Sequence, residues 1–315
     1  MRRFSKITTT QLARICGVSQ GTVDRALHGR EGISEETREK ILAAAKEYDY
    51  LPSVAPPKGS NSMLIGVVLF DLYNEFFSKL AMSLVNAAQK VGYSIIFQFS
   101  GKDEKDEKAA LAYFDYIGVD GIILFSVGSD SEEYANYLRS LKKPLVLVGN
   151  KMFDLPNVWI DDRRAMRDMT LKLAEDTDGD LIYFAPILKR ELSSGNAQRR
   201  RFEGFVEAAT SLGKNHRIVT DVENIKDFGG IVCASDYYAL RVLKHLNFPD
   251  NVKISGFDNI SMLKYINTPV NTVEYSTDRI AEECLNYILG KRFATEIEHK
   301  LIDCTDPQAG LDRRK

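Results

Sequence analysis

Polar side chains suited to contacting DNA are concentrated near the N-terminus, in the stretch GVSQGTVDRALHG at residues 17–29. Because a helix repeats about every 3.6 residues, Gln20, Gly21, Asp24 and Arg25 share one face of this stretch, opposite an apolar face. In a major groove glutamine pairs bidentately with adenine and arginine with guanine, and glycine allows close approach. Asp24 is the exception, because its negative charge opposes the attraction to phosphate that supplies affinity for DNA.

A second set of chemically capable residues follows apolar runs later in the chain. Each is an aspartate at the end of such a run: Asp71 after VVLF, Asp161 and Asp162 after VWI, Asp236 after VCAS, and Asp258 after ISGF. Ligands of open α/β sheets bind beyond the carboxyl ends of the strands. There carboxylates accept hydrogen bonds from hydroxyl groups, and an arginine such as Arg201 donates to oxygens. With Phe76, Phe77 and Trp159 to cover apolar faces, the set fits a small sugar or polyol. Each aspartate also has a plainer interpretation, as a turn former or a helix cap.

Composition limits the classes to which this chain can belong. Its 315 residues suffice for two or three domains, and 44% hydrophobic with 27% charged residues is typical of a globular protein with a sizeable core. No apolar run approaches the ~18 residues of a membrane span, and MRRFSKITTT has no signal-peptide core. We therefore expect a cytoplasmic protein without membrane contact, whose four scattered cysteines are reduced.

Motifs for enzymatic, metal or cofactor chemistry are missing from the sequence. Neither GxGxxG nor GxxxxGK[ST] occurs, no nucleophile–base pair stands out, and the four histidines lack metal-ligand spacing. We predict that the chain is not an enzyme and uses no cofactor or metal. Residues 1–60 hold ten basic and seven acidic residues while the remainder is net acidic, so the N-terminal part is the one suited to a polyanion.

Three short helices are predicted before residue 50. Thr8 and Gln11 form a capping box, Ser19 and Ser34 cap the second and third helices, and Gly17 permits the turn between the first two. The apolar stripes are Leu12, Ala13 and Cys16, then Val23, Ala26 and Leu27, then Ile41, Leu42, Ala45 and Tyr48. This is the plan of a helix-turn-helix, and also that of a three-helix bundle used for protein contacts.

From Met63 onward apolar runs alternate with amphipathic stretches. The runs are MLIGVVLF, SIIFQF, GIILFSV, PLVLVGN, DLIYFAP, GIVCASD and VKISGFDN. Such runs predict parallel strands covered on both faces, and their number predicts two doubly wound sheets. Only ENIKDFG separates HRIVTDV from GIVCASD, so either the crossover there is a bare loop or these strands pair differently.

Residues 12–52 resemble, almost position by position, the DNA-binding head of the LacI/GalR family of bacterial transcriptional regulators. The shared frame is L-A-x-x-x-G-V-S-x-x-T-V-x-R-x-L, then I-S-x-x-T-R-x-x-I-L-x-A-A, then Y-x-P. The resemblance implies a helix-turn-helix that binds operator DNA. It implies DNA contacts by Thr8, Ser19, Gln20, Gly21, Thr22, Asp24, Arg25 and His28.

The later chain resembles the periplasmic-binding-protein-like effector domain of the same family. DLYNEFF resembles D-L-x-N-P-F-F, AQRRRFEGF resembles R-x-x-G-F, CASDYYALRVL resembles A-N-D-x-x-A-L, and ISGFDN resembles V-G-F-D-D. The resemblance implies effector contacts by Asp71, Phe76, Phe77, Asp161, Arg201, Asp236, Asp258 and Tyr275. It also implies a homodimer whose effector is a small sugar or polyol.

Several positions depart from the family pattern. Glu75 replaces a proline, Ser235 an asparagine and Tyr275 a glutamine, while serine is usual where this chain has Asp24. The linker LPSVAPPKGSNSM replaces a hinge helix of the type A-L-A-R-S-L, so we expect no leucine wedge in the minor groove.

The sequence thus predicts an all-α head followed by an α/β two-lobed domain. The predicted boundaries are 1–51 for the helix-turn-helix, 52–62 for the linker, and 63–315 for effector binding and dimerisation. Within the last, one lobe spans about 63–159 and 277–297 and the other about 160–276 and 298–315.

The predicted function is that of a DNA-binding regulator, a repressor, that binds a pseudo-palindromic operator as a dimer and responds to the effector. Two alternatives stay open: a regulator whose body is only a dimerisation scaffold, and an α/β enzyme acting on a sugar.

Asp24 has two interpretations within this prediction. Its carboxylate accepts a hydrogen bond from a cytosine amino group, or it holds a neighbouring arginine, Arg25 or Arg30, in a conformation ready for DNA. We favour the second interpretation.

Overall fold

The computed structural model describes residues 7–27, 30–48, 50, 62–127, 131–149, 151–186 and 197–303. Contacts divide the chain into two compact units, Met1–Ser60 and Asn61–Lys315. Each unit has a hydrophobic core of its own. No helix in these ranges is both long and apolar enough to cross a membrane.

The smaller unit contains three helices: α1 Thr9–Cys16, α2 Gln20–Leu27 and α3 Glu35–Glu47. The predicted capping box is present, since the Thr8 hydroxyl accepts from the Gln11 N–H at 3.2 Å and the Gln11 side chain accepts from the Thr8 N–H at 2.7 Å. Gly17 ends α1 with φ 70°, a left-handed conformation that a side chain would strain. Ser34 caps α3 by accepting from the Thr37 N–H at 3.3 Å. Local sequence therefore determines where these helices begin and end.

The core of this unit confirms the predicted stripes of α1 and α2 and corrects that of α3. Its buried members are Leu12, Ala13, Cys16, Val23, Ala26, Ile41 and Ala45. Leu42 and Tyr48 were expected to be buried, yet each is 44% exposed. Leu42 lies about 100° around the helix from Ile41, so it faces away from α1 and α2. The Tyr50 hydroxyl contacts the Thr9 hydroxyl at 2.8 Å, so Tyr50 joins the domain where Tyr48 does not.

Strands and helices alternate through most of the described part of the larger unit. The strands are β1 Leu64–Leu69, β2 Ser94–Phe99, β3 Gly121–Leu124, β4 Leu145–Gly149, β5 Asn157–Ile160, β6 Leu181–Phe184, β7 His216–Val219, β8 Gly230–Cys233, β9 Ile254–Ser255, β10 Thr272–Tyr275, β11 Glu296–Ile297 and β12 His299–Ile302. The helices are α4 Glu75–Lys90, α5 Glu104–Ile117, α6 Glu132–Arg139, α7 Asp162–Glu175, α8 Ala197–Ser211, α9 Asp236–His245 and α10 Thr277–Ile288.

These strands form two parallel sheets and one antiparallel pair. One sheet has the order β11-β5-β4-β3-β1-β2, and we call it, with α4, α5, α6 and α10, the first lobe. The other has the order β7-β6-β8-β9, and we call it, with α7, α8 and α9, the second lobe. Strands β10 and β12 pair antiparallel to each other. The predicted fold class, a helical head and an α/β domain with two parallel sheets, is confirmed.

Of the two possibilities that the sequence left open for the short segment ENIKDFG, a loop crossover is the one observed. The connection between β7 and β8 contains a single 3-10 turn, Val222–Asn224, rather than a full helix. Strands β7 and β8 do not pair with each other, because each pairs in parallel with β6 from opposite sides. The loop therefore crosses the width of one strand.

Close packing of α7 on α8 brings the polar residues of the second lobe together. Gly204 of α8 touches the α7 backbone, and a Cβ atom there would lie 2.1 Å from the Arg163 carbonyl oxygen. Only glycine permits this approach. Arg201, one turn earlier on α8, is thereby placed against Asp162, the first residue of α7.

Candidate functional site

The outward face of α2 presents the side chains that were predicted to contact DNA. Gln20, Gly21 and Arg25 are exposed, while Val23 and Ala26 point into the core. The Gln20 amide donates to the Thr10 hydroxyl, so α1 orients this side chain. Ser19 accepts from the Thr22 N–H at 3.1 Å and caps α2.

Asp24 is paired with an arginine from the loop after α2. The Arg30 guanidinium donates to the Asp24 carboxylate at 2.9 Å, and both side chains are largely exposed. The backbone of Arg30 is held as well, since its N–H donates to the Arg25 carbonyl at 2.9 Å and its carbonyl accepts from Arg38 at 2.9 Å. Of the two arginines considered from the sequence, the one that meets Asp24 is Arg30.

In the larger unit, Arg201 is the centre of the polar site. Its guanidinium donates to Asp162 at 2.7 Å, to Asp258 at 3.3 Å, and to the Ala234 carbonyl at 2.9 Å. Its Cζ atom lies 3.5 Å from the centre of the Phe257 ring. All three charged side chains are nearly buried, with 11% of Arg201 and 5% of each aspartate exposed. The α7, α8 and β9 segments thus meet at one cation.

Burial and mutual attraction act in opposite directions on the charges of this site. Burial raises the pKa of both Asp162 and Asp258, and the Arg201 charge counteracts this. Although its own burial disfavours the charge, the two carboxylates raise the pKa of Arg201, which stays protonated. One cation faces two carboxylates that retain lone pairs, and such a site accepts hydrogen bonds from hydroxyl donors.

Asp258 also lies where the two lobes meet. Its second oxygen accepts from the Asn74 amide of the first lobe at 3.2 Å. Its backbone has φ 101°, which is strained for a residue with a side chain, and its N–H donates to the Val273 carbonyl at 2.9 Å. Strain of this kind is maintained at functional sites by the surrounding structure.

Asp236 is also buried, but its oxygens are occupied inside the second lobe. They accept from the Thr272 hydroxyl at 2.7 Å and from the Ile260 N–H at 2.9 Å. Burial, with the nearby Asp258 charge, raises the pKa of Asp236 to about 8. Asp236 thus supports the loop that carries Asp258.

Comparison with known proteins gives the family. Residues 9–53 match the model of bacterial regulatory proteins of the lacI family, and residues 62–227 match that of periplasmic binding proteins and the sugar binding domain of the LacI family. The chain belongs to the LacI family. It is therefore a DNA-binding transcriptional regulator with a sugar-binding domain, and not an enzyme.

Individual LacI-family relatives are distant but align over nearly their full length. The HTH-type transcriptional regulator RegA of Clostridium saccharobutylicum is 27% identical, with 93% of this chain and 96% of the relative covered. The structure of a CelR–cellobiose complex has a TM-score of 0.63 at 20% identity and covers 96% of this chain and 100% of that one. The lac repressor dimer bound to operator and the anti-inducer ONPF has a TM-score of 0.62 at 19% identity, covering 96% and 99%. At these identities the structural matches show a shared fold.

Other residues predicted to contact the effector of this LacI-family regulator make local contacts of their own. Asp71 accepts from the N–H of Tyr73 at 2.9 Å and so forms a turn. Asp161 caps α7 by accepting from the Arg164 N–H at 3.1 Å, and it is Asp162 that meets Arg201.

The aromatic candidates divide between a ring cluster and a single buried phenol. Phe76 and Phe77 pack edge-to-face with Phe125 at centroid distances of 6.1 and 5.2 Å. Tyr275 is 6% exposed, and its hydroxyl has no hydrogen-bond partner among the residues that the structure describes.

A set of contacts between the lobes was not anticipated from the sequence. The Glu75 carboxylate accepts from the Ser261 N–H, both oxygens at 2.9 Å, and from the Ser261 hydroxyl. Lys79 pairs with Glu75 at 3.0 Å and donates to the Asn259 carbonyl at 2.8 Å. Burial opposes ionisation of Glu75, but hydrogen bonds from Ser261 and Lys79 outweigh it and lower its pKa. The only indication of this contact in the sequence was Glu75 itself, which stands where the family usually has proline.

Some predictions concern residues outside the described ranges. His28 and the linker apart from Ser62 are among them, so the expected loss of the hinge helix stays a prediction. Within the described ranges, no group of three histidine, cysteine or carboxylate side chains is arranged to hold a metal.

Proposed function

We propose that this regulator is a cytoplasmic repressor that binds a pseudo-palindromic operator as a homodimer, and that a sugar or polyol in the cleft between the lobes changes its affinity for DNA. The observation that supports it most is Arg201, buried between Asp162 and Asp258 where strand ends of the second lobe meet the first lobe. Ligands of such folds bind at this edge. The crystallised relatives include one with cellobiose and one bound to operator.

Within this proposal α2 enters the major groove. Gln20 and Arg25 read base edges, Gly21 allows close approach, and Thr8, Ser19, Thr22 and His28 lie near phosphates. Asp24 acts through Arg30, whose position it fixes.

We propose that polar groups of the effector contact Arg201, Asp258 and Tyr275. The remaining proposed effector-site residues are Asp71, Phe76, Phe77, Asp161 and Asp236, of which Asp236 acts by supporting the loop that carries Asp258. The proposed lobe boundaries are those predicted from the sequence, and the membership of β11 in the first sheet supports them.

A dimer is supported by large apolar side chains that are exposed on the larger unit. Tyr73 is 92% and Tyr265 is 81% exposed, and Leu72, Tyr237 and Met262 are also exposed. The Tyr237 hydroxyl meets the Tyr73 carbonyl at 3.5 Å, which places the two lobes' residues in one patch. Exposed apolar patches mark association surfaces, and two-fold symmetry matches a palindromic operator.

A second candidate function is a regulator whose larger unit only dimerises. It is favoured by the internal pairing of Arg201, Asp258 and Glu75, which occupies much of the polar surface of the cleft.

Two experiments test the proposal. Selection from randomised duplex DNA with the full chain is expected to enrich a two-fold symmetric motif, and Arg25→Ala is expected to abolish specific binding while Lys46→Ala, which removes an exposed charge from α3, keeps it. Retention of the motif by Arg25→Ala would refute the assignment of α2. A thermal-shift panel of sugars and polyols then separates the candidates: a binder supports the responsive regulator, and none at all, with DNA binding intact, supports the scaffold.

A further inference from the structure

Trp159, on β5, lies between two cationic side chains. The Lys151 ammonium is 3.6 Å from the centre of its indole ring, and the Arg200 guanidinium carbon is 5.8 Å from it. The ring attracts both cations through its negative face. Two like charges are thereby brought to one aromatic side chain.

Within the described ranges neither cation lies within ion-pair distance of a carboxylate, although the Arg200 charge acts on Asp162 from farther away and favours its ionised form. The neighbouring arginines are all paired: Arg163 with Glu207, Arg164 with Asp168 and Glu296, Arg199 with Glu203, and Arg201 with Asp162 and Asp258. In the described ranges Lys151 and Arg200 make no ion pair. Lys151 and Arg200 thus bring two positive charges to Trp159 that no carboxylate within ion-pair distance neutralises in the described ranges.

A third unused donor lies at the same place. The indole Nε1–H of Trp159 is buried and has no acceptor within the part of the chain that the structure describes. Buried polar groups without a partner are rare in folded proteins and require an explanation. A lysine that only shields a tryptophan face would explain neither the second cation nor this N–H.

The three groups adjoin the proposed effector cleft. Lys151 follows β4, and Gly149 at the end of β4 pairs with Trp159 on β5. Asp162 comes three residues after Trp159, and Arg200 precedes Arg201 on α8. An anion bound by Lys151, Arg200 and the indole N–H would therefore adjoin Arg201.

We propose that the effector of this regulator is an acidic sugar, whose phosphate or carboxylate group binds at Lys151, Arg200 and the Trp159 N–H. The hydroxyl groups of the same molecule bind at Arg201, Asp258 and Tyr275. The inference rests on the proposed effector response and adds the charge class of the ligand. Charge-assisted hydrogen bonds to phosphate or carboxylate are about twice as strong as neutral ones, so the anion supplies much of the affinity.

The test is calorimetric titration of the full chain with matched probes: a neutral hexose, its monophosphate and the corresponding hexonic acid, for several hexoses. At least one acidic member is expected to bind at least tenfold more tightly than its neutral parent, and more weakly as salt rises. Comparison of the sugar monophosphates with the hexonic acids shows whether the bound acidic group is a phosphate or a carboxylate.

Variants locate the anion. Lys151→Met and Arg200→Met are each expected to weaken binding of the acidic sugar about tenfold or more, and their affinities for it are expected to approach that for the neutral parent. Arg199→Met, the adjacent residue with its charge already paired to Glu203, is the matched control and is expected to bind as the wild type does. Unfolding midpoints without ligand verify that all three fold.

The outcomes separate this inference from the proposed function. A neutral sugar that binds as tightly as its acidic derivatives, with Lys151→Met and Arg200→Met unaffected, overturns the acidic-sugar assignment and leaves the effector response standing. Failure of every acidic probe overturns the inference too, and failure of the neutral probes as well overturns the effector response.

Discussion

At the scale of single residues, pairing inside the protein decides what each charged side chain is able to do. The sequence predicted Asp258 because it follows an apolar run and Arg201 because AQRRRFEGF resembles the R-x-x-G-F element of the family, and the structure brings the two side chains within 3.3 Å. The sequence did not show whether Asp161 or Asp162 would contact Arg201. Consecutive helical residues point about 100° apart, so one residue's difference in the start of α7 makes Asp161 the cap and Asp162 the partner of Arg201.

The role of Asp24 is tested by Asp24→Ser, which introduces the residue usual in the family. Because the carboxylate holds Arg30 at 2.9 Å and repels phosphate, we expect affinity to rise about equally for all DNA sequences while discrimination among them falls. Fluorescence anisotropy with a set of single-base variants of the selected motif measures both. A changed preference at one base pair alone would instead indicate direct reading by Asp24.

Asp236→Asn tests the buried carboxyl group. The pKa of about 8 is raised above its ordinary value, so the folded state keeps a proton that the unfolded state loses near pH 4. The stabilisation is complete below about pH 4 and is lost as pH rises through about 8, at up to about 1.4 kcal/mol per pH unit. Urea unfolding between pH 5 and 9 is expected to show a steeper decline for the wild type than for Asp236→Asn, in which only the raised pKa values of Asp162 and Asp258 still act.

The control for this comparison is Asp103→Asn, which alters the exposed cap of α5 and should keep the slope of the wild type. Parallel curves for the wild type and Asp236→Asn would contradict the assignment of the raised pKa.

At the scale of elements, the strands were predictable and the contacts between lobes were not. Continuous apolar runs such as LIGVVL are buried on both faces of a parallel sheet. The local sequence alone is therefore enough to predict these strands. The short strands β11 and β12 have mixed composition and depend on pairing with distant segments, which no local pattern reports. The same holds for Glu75, whose partner Ser261 lies 186 residues away.

Glu75→Ala tests the contact between α4 and the loop after β9. Loss of a hydrogen bond to a charged group releases the Ser261 N–H, and we expect hydrogen exchange in residues 259–265 to accelerate about tenfold or more. Glu133→Ala, an exposed glutamate in the first turn of α6, is the matched control and should leave that segment protected. Unchanged exchange in Glu75→Ala would show that the carboxylate does not hold the lobes together.

At the scale of the whole molecule, the proposed function requires a dimer in which each DNA-binding head is coupled to a ligand-responsive body. Tyr265→Asp places a charge at one of the most exposed aromatic side chains and is expected to weaken the proposed dimerisation about thirtyfold or more, as loss of an interface hot spot does. Light scattering coupled to gel filtration measures the mass, and Tyr113→Asp on α5 alters an equally large exposed tyrosine elsewhere. A dimer that survives Tyr265→Asp but not Tyr113→Asp would move the interface to another face.

The most direct test of the central claim is the affinity of the full chain for its selected duplex, measured by anisotropy with and without the sugar that binds most tightly. We predict a change in Kd of about tenfold or more, within the usual range of allosteric coupling, and its loss in Asp258→Asn although DNA binding persists. An unchanged Kd at saturating sugar, in wild type and variant alike, would contradict the claim that the cleft controls the DNA-binding head.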